Sequence, residues 1–105
     1  MYKLSFYVPE SYKEEVKTTL FAAGAGIVKN YKFVAWECRG RGQFMPLENS
    51  NPTIGEVDEL EYVSEYKVEM ICREEIIKEV VAALHMSHPY ESPAYDIVQL
   101  VDVYS

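Results

Sequence analysis

The chain is short of nearly everything that marks a metal cage, a membrane span or a polyanion-binding surface. Its 105 residues include two cysteines and two histidines, and ten Lys and Arg against seventeen Asp and Glu. Cys38 and Cys72 are too few and too far apart for a zinc cage, which needs four close ligands, or for a Cys-x-x-Cys redox pair. They read as reduced core residues. No apolar run reaches the roughly 18 residues that a membrane span needs, and Met1-Tyr2-Lys3 leads straight into an alternating pattern with no apolar leader. A cytoplasmic protein is expected. The formal net charge of −7 speaks against general affinity for nucleic acid or anionic membranes, where binding rests on Lys and Arg neutralising phosphates.

What is present describes an ordinary folded domain. A hydrophobic fraction of 49% and a charged fraction of 26% are those of a soluble globular chain. At this length folding buries roughly 60–70% of the unfolded surface, enough for one core, so residues 1–105 read as a single domain. Nine tyrosines are the compositional excess. An apolar ring with a polar tip suits half-buried sheet faces and subunit interfaces, which favours an oligomer. Charge is unevenly spread: Lys29, Lys32, Arg39 and Arg41 cluster, and an acidic run from Glu48 to Glu69 follows. The first reading of such a pattern is solvated surface; an anion site or a subunit contact is the second.

Periodicity orders the elements. Lys3 to Val8 alternates as a half-buried strand. Ser11 and Glu14 form a candidate capping box for a helix carrying Tyr12, Val16, Leu20 and Ala23, which Gly24-Ala25-Gly26 ends. Tyr31 to Cys38 reads as a second strand, bent by a hairpin or bulge at Gly40-Arg41-Gly42, and Asn49 to Gly55 as a long polar connection. Leu60 to Ile71 is strand-like with apolar residues on both faces, which suggests a bulge. Arg73 to Met86 is the clearest helix, and Tyr95 to Tyr104 alternates again. The order β-α-β-β-α-β is that of an α+β ferredoxin-like sandwich, with two helices on one face of a four-stranded antiparallel sheet.

His88-Pro89-Tyr90-Glu91-Ser92-Pro93-Ala94-Tyr95-Asp96 is the densest chemistry in the chain. Each proline fixes its own φ and pushes the preceding residue towards extended geometry, so the segment is a stiffened helix-to-strand connector. A His with a nearby carboxylate can hold a divalent metal ion or act as an acid/base pair, which makes His88 and Glu91 the candidate metal ligands. In extended backbone they point to opposite faces, so only a turn at Pro89-Tyr90 would join them. The competing reading makes both residues structural pins that cap the neighbouring elements, with Tyr90 and Tyr95 as packing. His85 fits a cap on the carbonyl end of its helix, where a partly positive imidazole is favourable. Gly40, Gly42 and Gly55 suggest positive φ or close backbone approach. Arg39 and Arg41, with Tyr90, are the candidate ligand-binding residues, although Gly-Arg-Gly lacks the spacing of a phosphate-binding loop.

Three separated blocks, 40–48 (GRGQFMPLE), 51–56 (NPTIGE) and 88–96 (HPYESPAYD), resemble the inserted domain of the YqfO/YbgI-type family. That domain occurs within larger metal-binding proteins known as GTP cyclohydrolase homologues and also as a short chain of its own. The resemblance implies a fold similar to the P-II signalling and CutA divalent-cation-tolerance proteins, and hence a trimer. It does not carry over hydrolase chemistry, because the halves holding the full-length family's two-metal centre find no counterpart here. Two departures stand out. Ser92 replaces a second glutamate, and Lys32-Phe33-Val34 replaces the family's small polar and cysteine positions. The expectation is a non-enzymatic, oligomeric regulatory module that binds a small ligand or metal ion. The alternatives are a P-II-like protein taking a nucleotide between subunits near Arg39 to Glu56, and a hydrolase or cyclohydrolase.

Overall fold

Alternation in Tyr2–Val8 (β1) sets Leu4, Phe6 and Val8 on one face of the sheet, and all three are fully buried. The structure, a computed structural model, describes residues 1–104. After β1 come helix Glu10–Ala22 (α1), strands Trp36–Phe44 (β2) and Glu61–Cys72 (β3), a short 3₁₀ turn leading into helix Ile77–Ser87 (α2), and strand Tyr95–Gln99 (β4). The sheet runs β2-β3-β1-β4, every neighbouring pair antiparallel. This is the expected ferredoxin-like arrangement.

Val16 and Leu20 of α1 and Val80 and Leu84 of α2 close over Leu4, Phe6, Val68, Met70 and Cys72 of the sheet. Each such side chain contributes about 1.5–3 kcal/mol by leaving water, so this layer contact is the main source of stability. The break after α1 follows from Gly24. With φ at 108° it lets Gly24 N–H reach Phe21 O and Ala25 N–H reach Leu20 O, the paired bonds of a Schellman turn.

Several boundaries differ from expectation. Ser11 does not cap α1: the helix starts at Glu10, two residues earlier than that cap would set it, behind Pro9 and with no side-chain cap bond. The second strand starts at Trp36, because residues 27–35 fold under the end of α1 instead. Val28 and Tyr31 bridge each other, Phe33 takes a left-handed φ of 59°, and its ring lies 5.4 Å from that of Phe21. Apolar residues there serve local packing rather than a ladder. Gly40-Arg41-Gly42 makes no bend, since β2 runs through it in unbroken register with β3. No bulge interrupts β3 either; its two apolar faces serve different neighbours. Strand β4 is half the expected length because β1 offers it no partner beyond Tyr2↔Gln99. Cys72 is buried as expected, whereas Cys38 is exposed on the sheet face opposite the helices.

One feature of the register positions the site. β1 pairs with β3 only over Tyr66–Cys72, so residues 61–65 of β3 pair with β2 alone. This ribbon projects past the two-layer body, and the molecule measures 49 × 24 × 24 Å.

Candidate functional site

The connector after α2 lies against the base of that ribbon. His88 is 6% exposed, and its Nε2 sits 2.6 Å from the Tyr7 carbonyl oxygen of β1. Its Nδ1 accepts the Tyr90 backbone N–H at 3.1 Å. The two bonds fit one state only: neutral imidazole with its proton on Nε2. Burial, in the first place, lowers the His88 pKa from its ordinary 6.5, against the opposing pull of the Tyr7 carbonyl, which agrees with that state.

Glu91 turns the other way. Its Oε2 accepts the backbone N–H of Asn51 at 3.0 Å, and Thr53 Oγ1 donates to the Pro89 carbonyl at 2.8 Å. These bonds fold the loop between β2 and β3 back onto the connector. The sequence offered His88 and Glu91 as a metal pair. The structure does not bring them together, and both imidazole nitrogens are engaged with backbone, leaving His88 no lone pair for a cation. Among the described residues no three His, Cys, Asp or Glu side chains group as a metal site. Both residues are pins, yet they tie the connector to β1 and to the long loop rather than to its own flanking elements. His85 stacks edge-on against Tyr95, ring centroids 5.5 Å apart.

Loop, connector and ribbon border a cavity of about 420 Å³ that is open on one side to solvent. The three sequence blocks all meet there: Gly42, Gln43, Phe44 and Pro46 from the first, Pro52, Thr53 and Ile54 from the second, Tyr90, Glu91, Ser92 and Ala94 from the third. Tyr7 and Glu65 complete the wall from β1 and β3. By register Tyr7, Gly42, Phe44 and Glu65 share the sheet face opposite the helices. Gly42 has a defined part: a Cβ there would run into the Glu65 carboxylate, so glycine leaves that group room to lie across β2. The Tyr90 hydroxyl is buried and has no hydrogen-bond partner among the described residues. Burial, then the neighbouring Glu65 carboxylate, pushes its pKa well above the usual 10.0, so it stays a phenol with a proton to donate.

Tyr90 therefore belongs to the cavity, and Arg39 and Arg41 do not. They occupy the helix-side face of β2, where Arg39 Nε donates to Ser64 Oγ at 3.1 Å and the Arg41 guanidinium lies 4.6 Å over the Tyr62 ring. Glu65 and Tyr7 escaped the sequence reading. Glu65 sat in an acidic run that read as solvated surface, and its one distinguishing signal is that it faces Gly40 across the hairpin.

No family model matches the chain. A Halalkalibacterium halodurans protein named GTP cyclohydrolase 1 type 2 homolog is 43% identical over 97% of this chain and 27% of its own length. The crystal structure of a Bacillus cereus protein related to NIF3 superposes with a TM-score of 0.84 at 34% identity, over 96% of this chain and 26% of that one. CutA1 from Pyrococcus horikoshii gives a TM-score of 0.72 at 19% identity, over 98% of this chain and 86% of that one, a likeness of fold.

Proposed function

We propose that this chain, a homologue of a segment making up about a quarter of the GTP cyclohydrolase 1 type 2 homologs, is a small-ligand-binding module whose site is the cavity between loop, connector and ribbon. The convergence of three separate sequence blocks on one cleft carries this reading. The cavity volume of about 420 Å³ falls within the roughly 300–1,000 Å³ of small-molecule sites. Its apolar wall, with a few polar groups among the lining, is of the kind that binds, and the buried His88, the side chain best suited to acid–base work, is committed to holding backbone. The module is non-enzymatic in this proposal. A fragment panel followed by amide NMR tests it. Shifts should concentrate at Gly42, Thr53, Ile54 and Ala94; a panel that moves none of them, or turnover of a nucleotide by clean protein, overturns the assignment.

Self-association, as a trimer in the cytoplasm, is the second part of the proposal. The helix-free sheet face supports it, with Trp36 59% and Val98 50% exposed on one side of the sheet. Light scattering at micromolar concentration should return a multiple of 12.1 kDa. A monomeric mass would remove this part and leave the cavity reading standing.

A further inference from the structure

The lining of the cavity has a charge sign. Two carboxylates, Glu65 and Glu91, belong to it, and among the described residues no Lys, Arg or His side chain does. Two cations stand nearby, on a shallow pocket that shares Tyr7, Gly42 and Glu65 with this cavity: Lys67, whose Nζ lies 3.7 Å from Glu69 Oε2, and Arg41, stacked on Tyr62. Glu91 has given one oxygen to Asn51, which leaves Oε1 free at the exposed rim. Glu65 is half-buried and held across β2 by the absence of a side chain at Gly42. Between them the wall is apolar, supplied by Phe44, Pro52 and Ile54.

We infer that the cavity takes a small organic cation, an amine on an apolar body, with its charge set towards Glu65 and Glu91 and its apolar part against Phe44, Pro52 and Ile54. The inference rests on the small-ligand reading above and narrows it to a chemical class. An anionic ligand such as a nucleotide meets like charge from both carboxylates, in a space where partial exclusion of water strengthens the repulsion. An ammonium group meets the opposite sign. It also supplies the donors that carboxylate oxygens require, and the Tyr90 hydroxyl adds a neutral donor and acceptor beside them.

The test uses the 105-residue chain and four probes that separate charge from shape: phenethylamine, its neutral counterpart 2-phenylethanol, the anion 3-phenylpropionate, and ATP. Amide NMR titration should show phenethylamine moving Gly42, Thr53, Ile54 and Ala94, with affinity at least tenfold above the alcohol and the anion. Glu65→Gln, which keeps shape and removes charge, should cut amine affinity tenfold or more and leave the alcohol unchanged. Glu91→Gln retains an oxygen for Asn51 N–H and should cost less. Gly42→Ala, which displaces the Glu65 carboxylate, should weaken the amine selectively. Saturation at these amides by ATP or phenylpropionate but not the amine overturns the inference while the cavity reading survives. So does equal binding of all charges. No shift at these amides from any probe overturns the cation assignment, and silence from the wider panel overturns both.

Discussion

The two ends of this molecule are stabilised by different physics. At the body, α1 and α2 cover β1 and β3 with side chains such as Leu4, Phe6, Val68 and Leu84, none of them in contact with water. At the ribbon end a few polar bonds from the connector do the holding, Thr53 to Pro89 and Asn51 to Glu91 on the loop and His88 to Tyr7 on β1. Dense packing leaves no space, whereas polar ties at the edge of a sheet can close a loop over an open volume. The contrast explains why the cavity lies at the overhang: a fully covered sheet has no room for one.

The sharpest way to break that contrast is a core truncation. Phe6→Ala should destabilise the chain by about 3–5 kcal/mol in denaturant titration, by lost transfer energy plus the space left behind. A cost below about 1 kcal/mol would place the stability elsewhere. His88→Ala comes next, at about 1–3 kcal/mol, because it leaves the Tyr7 carbonyl unpaired in a buried place. Its signature should be local, with faster hydrogen exchange at residues 50–55 and unchanged protection in α1. The same residue gives a pH dependence. The folded pKa lies below the unfolded value of 6.5, so the unfolded chain takes up the proton first. Stability should hold above that value and fall as pH drops through it towards the lower folded pKa, and His88→Ala should flatten that slope.

Thr53→Val tests the loop tie itself. Losing one exposed hydrogen bond should cost no more than about 0.5–1.5 kcal/mol, yet it should loosen the loop and weaken ligands of the cavity without changing core protection. The smallest effect belongs to a clamp at the body's rim. Lys13 and Lys17 of α1 reach the two oxygens of Glu37 on β2 at 2.6 and 2.8 Å. Hydrogen bonds from Lys13, then Lys17, hold the Glu37 carboxyl below its ordinary pKa. Lys17→Met should cost at most about 1 kcal/mol, as partly exposed ion pairs do, and should let the Glu37 pKa rise in NMR titration.

Legibility in the sequence follows the same division. The body was readable because burial imposes a period: Leu4, Phe6 and Val8 alternate, and Val80 and Leu84 repeat at helical spacing, whatever lies elsewhere in the chain. The ribbon end was readable only in part. The three blocks marked which residues matter, but local sequence could not say that they converge. His88 and Glu91 suggested a metal pair because their types suit one; their partners, a carbonyl 81 positions away and an N–H 40 positions away, leave no local pattern. Arg39 and Arg41 misled for a related reason. Positive charge next to glycine suggests an anion site, and only the strand register shows that these side chains leave the face that Gly42 and Glu65 occupy. The apolar run at Phe33 to Ala35 reads as strand because packing under a helix end selects the same residues.

The His88 bond to Tyr7 also bears on the order of folding. β4 pairs with β1 as far as Phe6↔Tyr95, and the next carbonyl, that of Tyr7, is taken by an imidazole instead of a strand residue. That contact spans 81 positions, against 40 and 36 for the two loop ties, and long-range closures carry a high entropic cost before they bring any gain. The first strand in the chain is therefore finished by a residue from its far end. A chain released from denaturant should acquire its helices and central strands before it has anywhere for a ligand to sit, and ligand capture then reports the final step of assembly.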